Sequence, residues 1–138
     1  MIQNEFKILI FISLISFFVD LSTGLKTYYK KCFTNPKFFS MLFIHHVISV
    51  FSYIGWMSFN VYVLIYYIIS NIMIYVHWNC YNNKCAMVEY IKKKCDEEDI
   101  PFRDLYYFLD LKKQMKYIGG FFMFLTIIKL YKKYNNSA

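Results

Sequence analysis

Apolar and charged segments divide this chain before any motif does. Residues 38–83 are 46 consecutive positions without an Asp, Glu, Lys or Arg. One membrane-spanning helix needs only about 20 apolar residues, so the run predicts two, at 39–57 and 60–78. The turn falls at Gly55-Trp56-Met57-Ser58-Phe59-Asn60, where Gly, Ser and Asn cluster and an amphipathic indole suits the headgroup level. In hydrocarbon every backbone N–H and C=O must find its partner inside the protein, so these β-branched and aromatic stretches are read as helices.

Two shorter apolar runs, 8–19 and 117–128, flank the pair, each of 12 residues between charges. The first extends to a span at 8–25 if Asp20 faces the bundle interior. The second extends to 117–131 if Lys129 snorkels its ammonium to the interface. A cleavable signal peptide is the alternative for the first run, with Lys7 ahead of the apolar core and Ser22-Thr23-Gly24 at the cleavage site. It would require Asp20 and the lysines behind it to be translocated, which favours the span. Within the loop 79–116, Pro101 precedes Phe102, Leu105, Tyr106 and Leu109 at helical spacing, and Lys112, Lys113 and Lys116 follow. That pattern predicts an amphipathic interfacial helix at about 101–115. The expected fold class is all-α: a single membrane domain of four transmembrane helices, with a central antiparallel hairpin and one amphipathic helix.

Composition agrees with this picture. The 138 residues are 58% hydrophobic and 22% aromatic, with 18% charged. This excludes a disordered chain, a secreted disulfide scaffold and a large enzyme with a deep soluble cleft. Abundant Ile, Phe, Lys, Tyr and Asn, together 71 residues, reflect A/T-rich codons rather than chemistry. The net charge of +7 is distributed unevenly. Twelve Lys and Arg lie in 23–37 and 79–116, whereas Lys7, Lys129, Lys132 and Lys133 lie elsewhere. The asymmetry predicts that both long loops are cytoplasmic and that both termini lie on the opposite face. Lysines spread along loops beside an apolar body point to anionic lipid, not to nucleic acid. The expected partners are the bilayer, further copies of the chain or other membrane proteins.

Ionisable groups at membrane depth are where chemistry is sought first. Ser13, Ser16 and Asp20 share one face of the first span. His45, Ser49, Ser52 and Trp56 share one face of the second, with His46 beside them, and Tyr66, Tyr67, Ser70, Asn71 and His77 form a broader stripe on the third. The candidate polar cluster is Asp20, His45, His46, Asn71 and His77. Counting outward from the turn sets His46 level with Asn71 and His77 roughly 9 Å nearer the loop face, so the paired histidines and His77 are poorly placed to clamp one metal or haem iron. Asp20 is in reach of either level. A carboxylate beside an imidazole can move protons, while the plainer role is a packing hydrogen bond between helices, worth about 1 kcal/mol.

Cys32, Cys80, Cys85 and Cys95 all fall on the predicted cytoplasmic face, where thiols stay reduced. His77, Cys80, Cys85 and Cys95 have the ligand chemistry of zinc, but no C-x-x-C occurs, and the 79–85 stretch also reads as an interfacial turn. Were the topology inverted, an oxidising compartment would join two of the four. No cofactor is expected; zinc or haem are the alternatives.

His45-His46, Gly55-Trp56, His77-Trp78 and Asn82-Asn83-Lys84-Cys85, followed by Pro101-Phe102 and Asp104, occur in an order that resembles a group of small, uncharacterised multi-span proteins of large DNA viruses with A/T-rich genomes. His77-Trp78, Cys85 and Glu89 are also similar to an arrangement in a bacterial membrane family, whose Leu-Thr after the cysteine is replaced here by Ala86-Met87-Val88. The resemblance implies a four-helix protein of a viral or intracellular membrane and no particular activity. Three functions follow. The first is a structural, assembly or partner-binding membrane component, favoured because the sequence displays no nucleophile with its base, no phosphate loop and no ion-filter run. The second is a small channel or proton-handling protein built on Asp20 and the histidines. The third is a metal- or haem-dependent membrane oxidoreductase.

Overall fold

In the computed structural model the described residues are 2–24, 29, 32, 35–80, 85–95 and 114–136. Their regular structure is entirely helical: α1 (Ile2–Gly24), α2 (Pro36–Ile54), a 3-10 turn (Gly55–Met57), α3 (Val61–Cys80), α4 (Ala86–Cys95) and α5 (Met115–Asn135). Gln3–Gly24, Pro36–Met57 and Val61–Cys80 are long and apolar enough to cross a membrane.

Local chemistry sets the helix ends. Asn35 accepts the Lys37 N–H at 3.0 Å with Pro36 at the first helical position, an N-cap that starts α2. Asn60 Oδ1 accepts the N–H groups of Tyr62 and Val63 at 2.9 and 3.3 Å and starts α3. The expected turn at 55–60 is present. Gly55 is required there by space, because a Cβ would sit 2.6 Å from the Tyr67 ring and 2.9 Å from the Phe51 ring. α1 starts at Ile2, ahead of the expected boundary at residue 8, and so carries Glu5 within it.

Two clamps hold the end of the molecule where the 55–60 turn lies. Glu5 of α1 accepts the Ser58 hydroxyl at 2.6 Å and the Phe59 N–H at 3.3 Å. From α5, Lys129 Nζ donates to the carbonyls of Trp56, Met57 and Ser58 at 3.4, 3.1 and 2.6 Å, and Lys133 Nζ to that of Phe59 at 2.8 Å. These carbonyls follow the end of α2, where a cation complements the partial negative charge of the helix terminus. The Trp56 indole stacks on Phe122 of α5 at 4.9 Å. Lys129 is therefore engaged by the turn rather than only reaching toward an interface.

At the other end, Phe17, Tyr29, Cys32, Phe38, Leu42 and Ile91 form an apolar cluster, with Val88 packed against it. Through Ile91 and Val88, α4 covers the end of the α1–α2 pair. This helix was not among the expected elements; Val88 and Ile91 at i, i+3 and the Glu89–Lys92 pair at 3.8 Å were its only signals, in a stretch read as turn and loop. The amphipathic helix expected at about 101–115 lies almost wholly outside the described residues.

Polar side chains share the interior with the apolar cluster, and large apolar side chains face outward. Ser13, Ser16, Asp20, His46, Ser49, Asn71 and Thr126 are buried, while Phe11, Ile15 and Phe18 of α1, Ile69, Met73 and Val76 of α3, and Phe121, Phe124 and Ile127 of α5 are exposed. Apolar surface on this scale belongs in contact with something other than water. The buried hydroxyls of Ser13 and Thr126 donate to carbonyls four residues back in their own helices, at 2.7 and 2.8 Å, which satisfies them without solvent.

Gly55→Ala forces the Tyr67 and Phe51 rings to shift. The expected cost is about 1–3 kcal/mol, seen as a lowered thermal midpoint of the detergent-solubilised protein. Ala at exposed Met57 should leave the midpoint unchanged.

Candidate functional site

The 3.6-residue period places Ser13, Ser16 and Asp20 on one stripe of α1, and that stripe faces α2. On α2 the inward stripe is Phe38, Leu42, His46, Ser49, Val50 and Tyr53. His46, not His45, is thus the histidine aimed at α1, which corrects the expected face of His45, Ser49, Ser52 and Trp56. Leu42 and Val50 are fully buried and lie four residues either side of His46, so packing of large apolar groups decided the rotation.

Asp20 and His46 meet in the interior, both with no exposed surface. His46 Nε2 lies 3.1 Å from Asp20 Oδ2, and His46 Nδ1 lies 2.9 Å from the Ser16 hydroxyl. The Tyr29 hydroxyl donates to both oxygens of Asp20, at 3.2 and 3.0 Å. A neutral imidazole whose Nε2–H donates to the carboxylate and whose Nδ1 accepts the Ser16 proton fits these distances. Tyr29 lies in the 25–35 connection, and its ring folds back over the backbone of Gly24, where any side chain would overlap it. A glycine at the end of α1 is therefore what admits the second donor to Asp20. Phe17 packs edge-on to His46 at 6.1 Å and closes the site beside α1.

The chain Ser16, His46, Asp20 has the order of a nucleophile, base and carboxylate, a pattern not legible in the sequence. Hydrolytic chemistry needs more than the order: an approach for substrate and donors aimed at an oxyanion. Ser16 is 8% exposed, Asp20 and His46 not at all, and all three sit within helices whose backbone N–H groups are spent on the helical ladder. Both ring nitrogens of His46 are also committed, so neither is available to a metal. What the arrangement does is bind α1, α2 and the connection between them.

Of the other expected members of the polar cluster, His45 adjoins this site, while Asn71 and His77 lie elsewhere. The His45 ring stands next to that of His46, with centroids 5.9 Å apart and planes at 81°. Asn71 is buried in α3, but its side-chain amide donates to the Tyr67 carbonyl of its own helix at 2.8 Å. Tyr66 is exposed while Tyr67 is fully buried, so the broad stripe expected on α3 divides. His77 Nε2 accepts the Ala86 N–H at 3.1 Å and so meets the first turn of α4. Asp20 pairs with the His46 level and not with His77. Among the described residues no three His, Cys, Asp or Glu side chains gather closely enough for a metal ion; the Cys95 side chain, one of the expected zinc ligands, lies outside them.

The cysteines depart from the expectation of four reduced thiols. Cys80 and Cys85 are free, Cys80 exposed and Cys85 partly so, but Cys32 is disulfide-bonded. A disulfide was expected only for the inverted topology, and no element was expected against Cys32, whereas Ile91 and Val88 of α4 belong to the apolar cluster around it. Tyr29 was missed as well, being one of many tyrosines in this composition with no pattern to mark it.

No protein-family model matches the chain, and neither a curated protein nor a solved structure matches it.

Tyr29→Phe removes one donor from a buried carboxylate and should cost about 1–3 kcal/mol. Gly24→Leu, which displaces the Tyr29 ring, should cost at least as much. Denaturant titration in mixed micelles measures both, and Gly24→Leu in the Tyr29→Phe background should add less than it does alone.

Proposed function

We propose that this is a multi-pass membrane protein whose role is structural, as an assembly or partner-binding component of a viral or intracellular membrane. In this reading it crosses the bilayer four times, at α1, α2, α3 and α5, with α2 and α3 as a central antiparallel hairpin. α5 has 21 residues, about 30 Å at 1.5 Å per residue, and carries Lys116, Lys129, Lys132 and Lys133, so in this reading its lysines reach the interfaces while 117–128 lies in hydrocarbon. The start of α1, the 55–60 turn and the end of α5 meet through Glu5, Lys129 and Lys133, which supports both termini lying on one face. The Lys-rich segments 23–37 and 79–116 then share the other face, next to anionic lipid, and the lysine excess assigns that face to the cytoplasm. The exposed apolar stripes of α1, α3 and α5 contact lipid or neighbouring helices, of the same chain or of other membrane proteins.

One observation carries the structural role over proton handling: Asp20 and His46 have no exposed surface, and their partners Ser16 and Tyr29 are themselves buried. A proton path needs a water-reachable entrance at each end of such a chain, and among the described residues none opens onto this pair. In liposomes loaded with a pH-sensitive dye, the wild-type protein should dissipate an imposed pH gradient no faster than protein-free vesicles. Proton flux that depends on His46 or Asp20, lost in His46→Leu, would overturn the structural role and establish the proton-handling one.

A further inference from the structure

α5 is the span that its own composition supports least. Among the described residues, Gln3–Gly24, Pro36–Met57 and Val61–Cys80 are long and apolar enough to cross a membrane, and α5 is not one of these helices. Its uncharged stretch, 117–128, has 12 residues, two of them Gly, and covers about 18 Å of roughly 30 Å of hydrocarbon. Any window of about 20 residues that contains this stretch takes in Lys116, Lys129 or both. Such a helix is held across a bilayer by what it meets there.

Lys129 meets a complete set of acceptors. Its ammonium carries three N–H donors, and the carbonyls of Trp56, Met57 and Ser58 lie 3.4, 3.1 and 2.6 Å from it. The centroid of the Phe59 ring is 4.4 Å from Nζ, within cation–π reach. Glu5 of α1 binds the same turn through Ser58 and Phe59. All the groups that receive the ammonium therefore belong to residues 56–59, between α2 and α3. Further along α5, the Phe122 ring stacks on the Trp56 indole with the planes 12° apart, and Gly119 admits the Tyr75 hydroxyl to 3.0 Å from the position of its absent Cβ.

We propose that the 56–59 turn is the docking site that keeps α5 across the bilayer, with the Lys129 ammonium as the group it binds. The inference rests on the four-span reading above. An ammonium leaving water must have its hydration replaced, and the turn replaces it with carbonyls that have no partner in the helical ladder. Bound there, Lys129 favours the transmembrane position of α5; unbound, the same charge opposes it. Without this contact α5 stays on the face that carries α4, and the C-terminus stays with it. Hydropathy alone predicts the reverse, because exchanging a lysine of α5 for an apolar residue should make the helix cross more readily. The sign of one substitution separates the two.

The full chain is translated with microsomal membranes, carrying glycosylation sequons in tails added ahead of Met1 and after Ala138. Asn135→Gln removes the acceptor already present at Asn135-Asn136-Ser137. With both termini in the lumen, this parent chain should carry two glycans. In Lys129→Met the ratio of two-glycan to one-glycan chains should fall about tenfold, the worth of a single charge-assisted hydrogen bond, and the N-terminal glycan should be kept. Lys132 is exposed on the same helix, and Lys132→Met should leave the ratio unchanged or raise it. A ratio in Lys129→Met at or above that of the parent, an equal fall in both variants, or loss of both glycans in Lys129→Met would overturn the proposal. A parent bearing only the N-terminal glycan would overturn it too. A parent with no glycan would contradict the orientation assigned above and remove the proposal with it, a result distinct from the others.

Discussion

A carboxylate placed inside an apolar helix bundle must be given donors by the protein, and Asp20 is the residue on which that requirement falls. It has no exposed surface, and its oxygens accept from His46 and Tyr29. Each donor fixes something larger than itself. His46, with Ser16, fixes the register between α1 and α2. Tyr29 lies over the end of α1, where Gly24 leaves room for its ring. The same ring belongs to the apolar cluster around Cys32 and Ile91. The desolvation penalty of an unpaired charge is far larger than the net gain from the hydrogen bonds that satisfy it, so this contact acts chiefly as a specification of geometry.

The opposite end obeys the same electrostatics with the signs reversed. Where α2 stops, carbonyl groups of the 55–60 turn lose their helical partners, and two ammonium groups from α5 meet them. Glu5 of α1 meets the hydroxyl and N–H groups of the same turn. Helices distant in sequence are thus joined at their ends by charged or polar contacts, and along their lengths by aromatic stacking and close approach at glycine. Trp56 on Phe122, and Gly119 with Tyr75 at 3.0 Å from the position of its absent Cβ, are contacts of this second kind made by α5. Between the two ends the outward surface is left to apolar side chains, the division of labour expected where lipid replaces water as solvent.

Much of this was legible in the sequence because a charge-free run of such length has few physical solutions. The helices at 36–57 and 61–80, the turn at Gly55 and the inward stripe of Ser13, Ser16 and Asp20 all follow from periodicity and the absence of charge. The rotation of α2 did not follow, because two adjacent histidines offer two polar faces and only the packing of Leu42 and Val50 selects one. Tyr29, Glu5 and the environment of Cys32 were illegible for a different reason. Each acts across 9 to 54 residues of sequence or through α4, and no local pattern encodes a contact that depends on where another element comes to rest.

The central claim is that Asp20 and His46 stabilise the fold only as a pair, which a double-mutant cycle on Asp20→Leu and His46→Leu tests most directly. Unfolding free energies would be measured in mixed detergent micelles. Each single variant should lose about 3–5 kcal/mol, because it strands a buried polar partner, and the double variant should lose no more than either single, keeping a cost of about 1–3 kcal/mol because the Ser16 and Tyr29 hydroxyls each lose a partner. Single losses that simply add in the double variant would contradict the account and show that the two residues act independently.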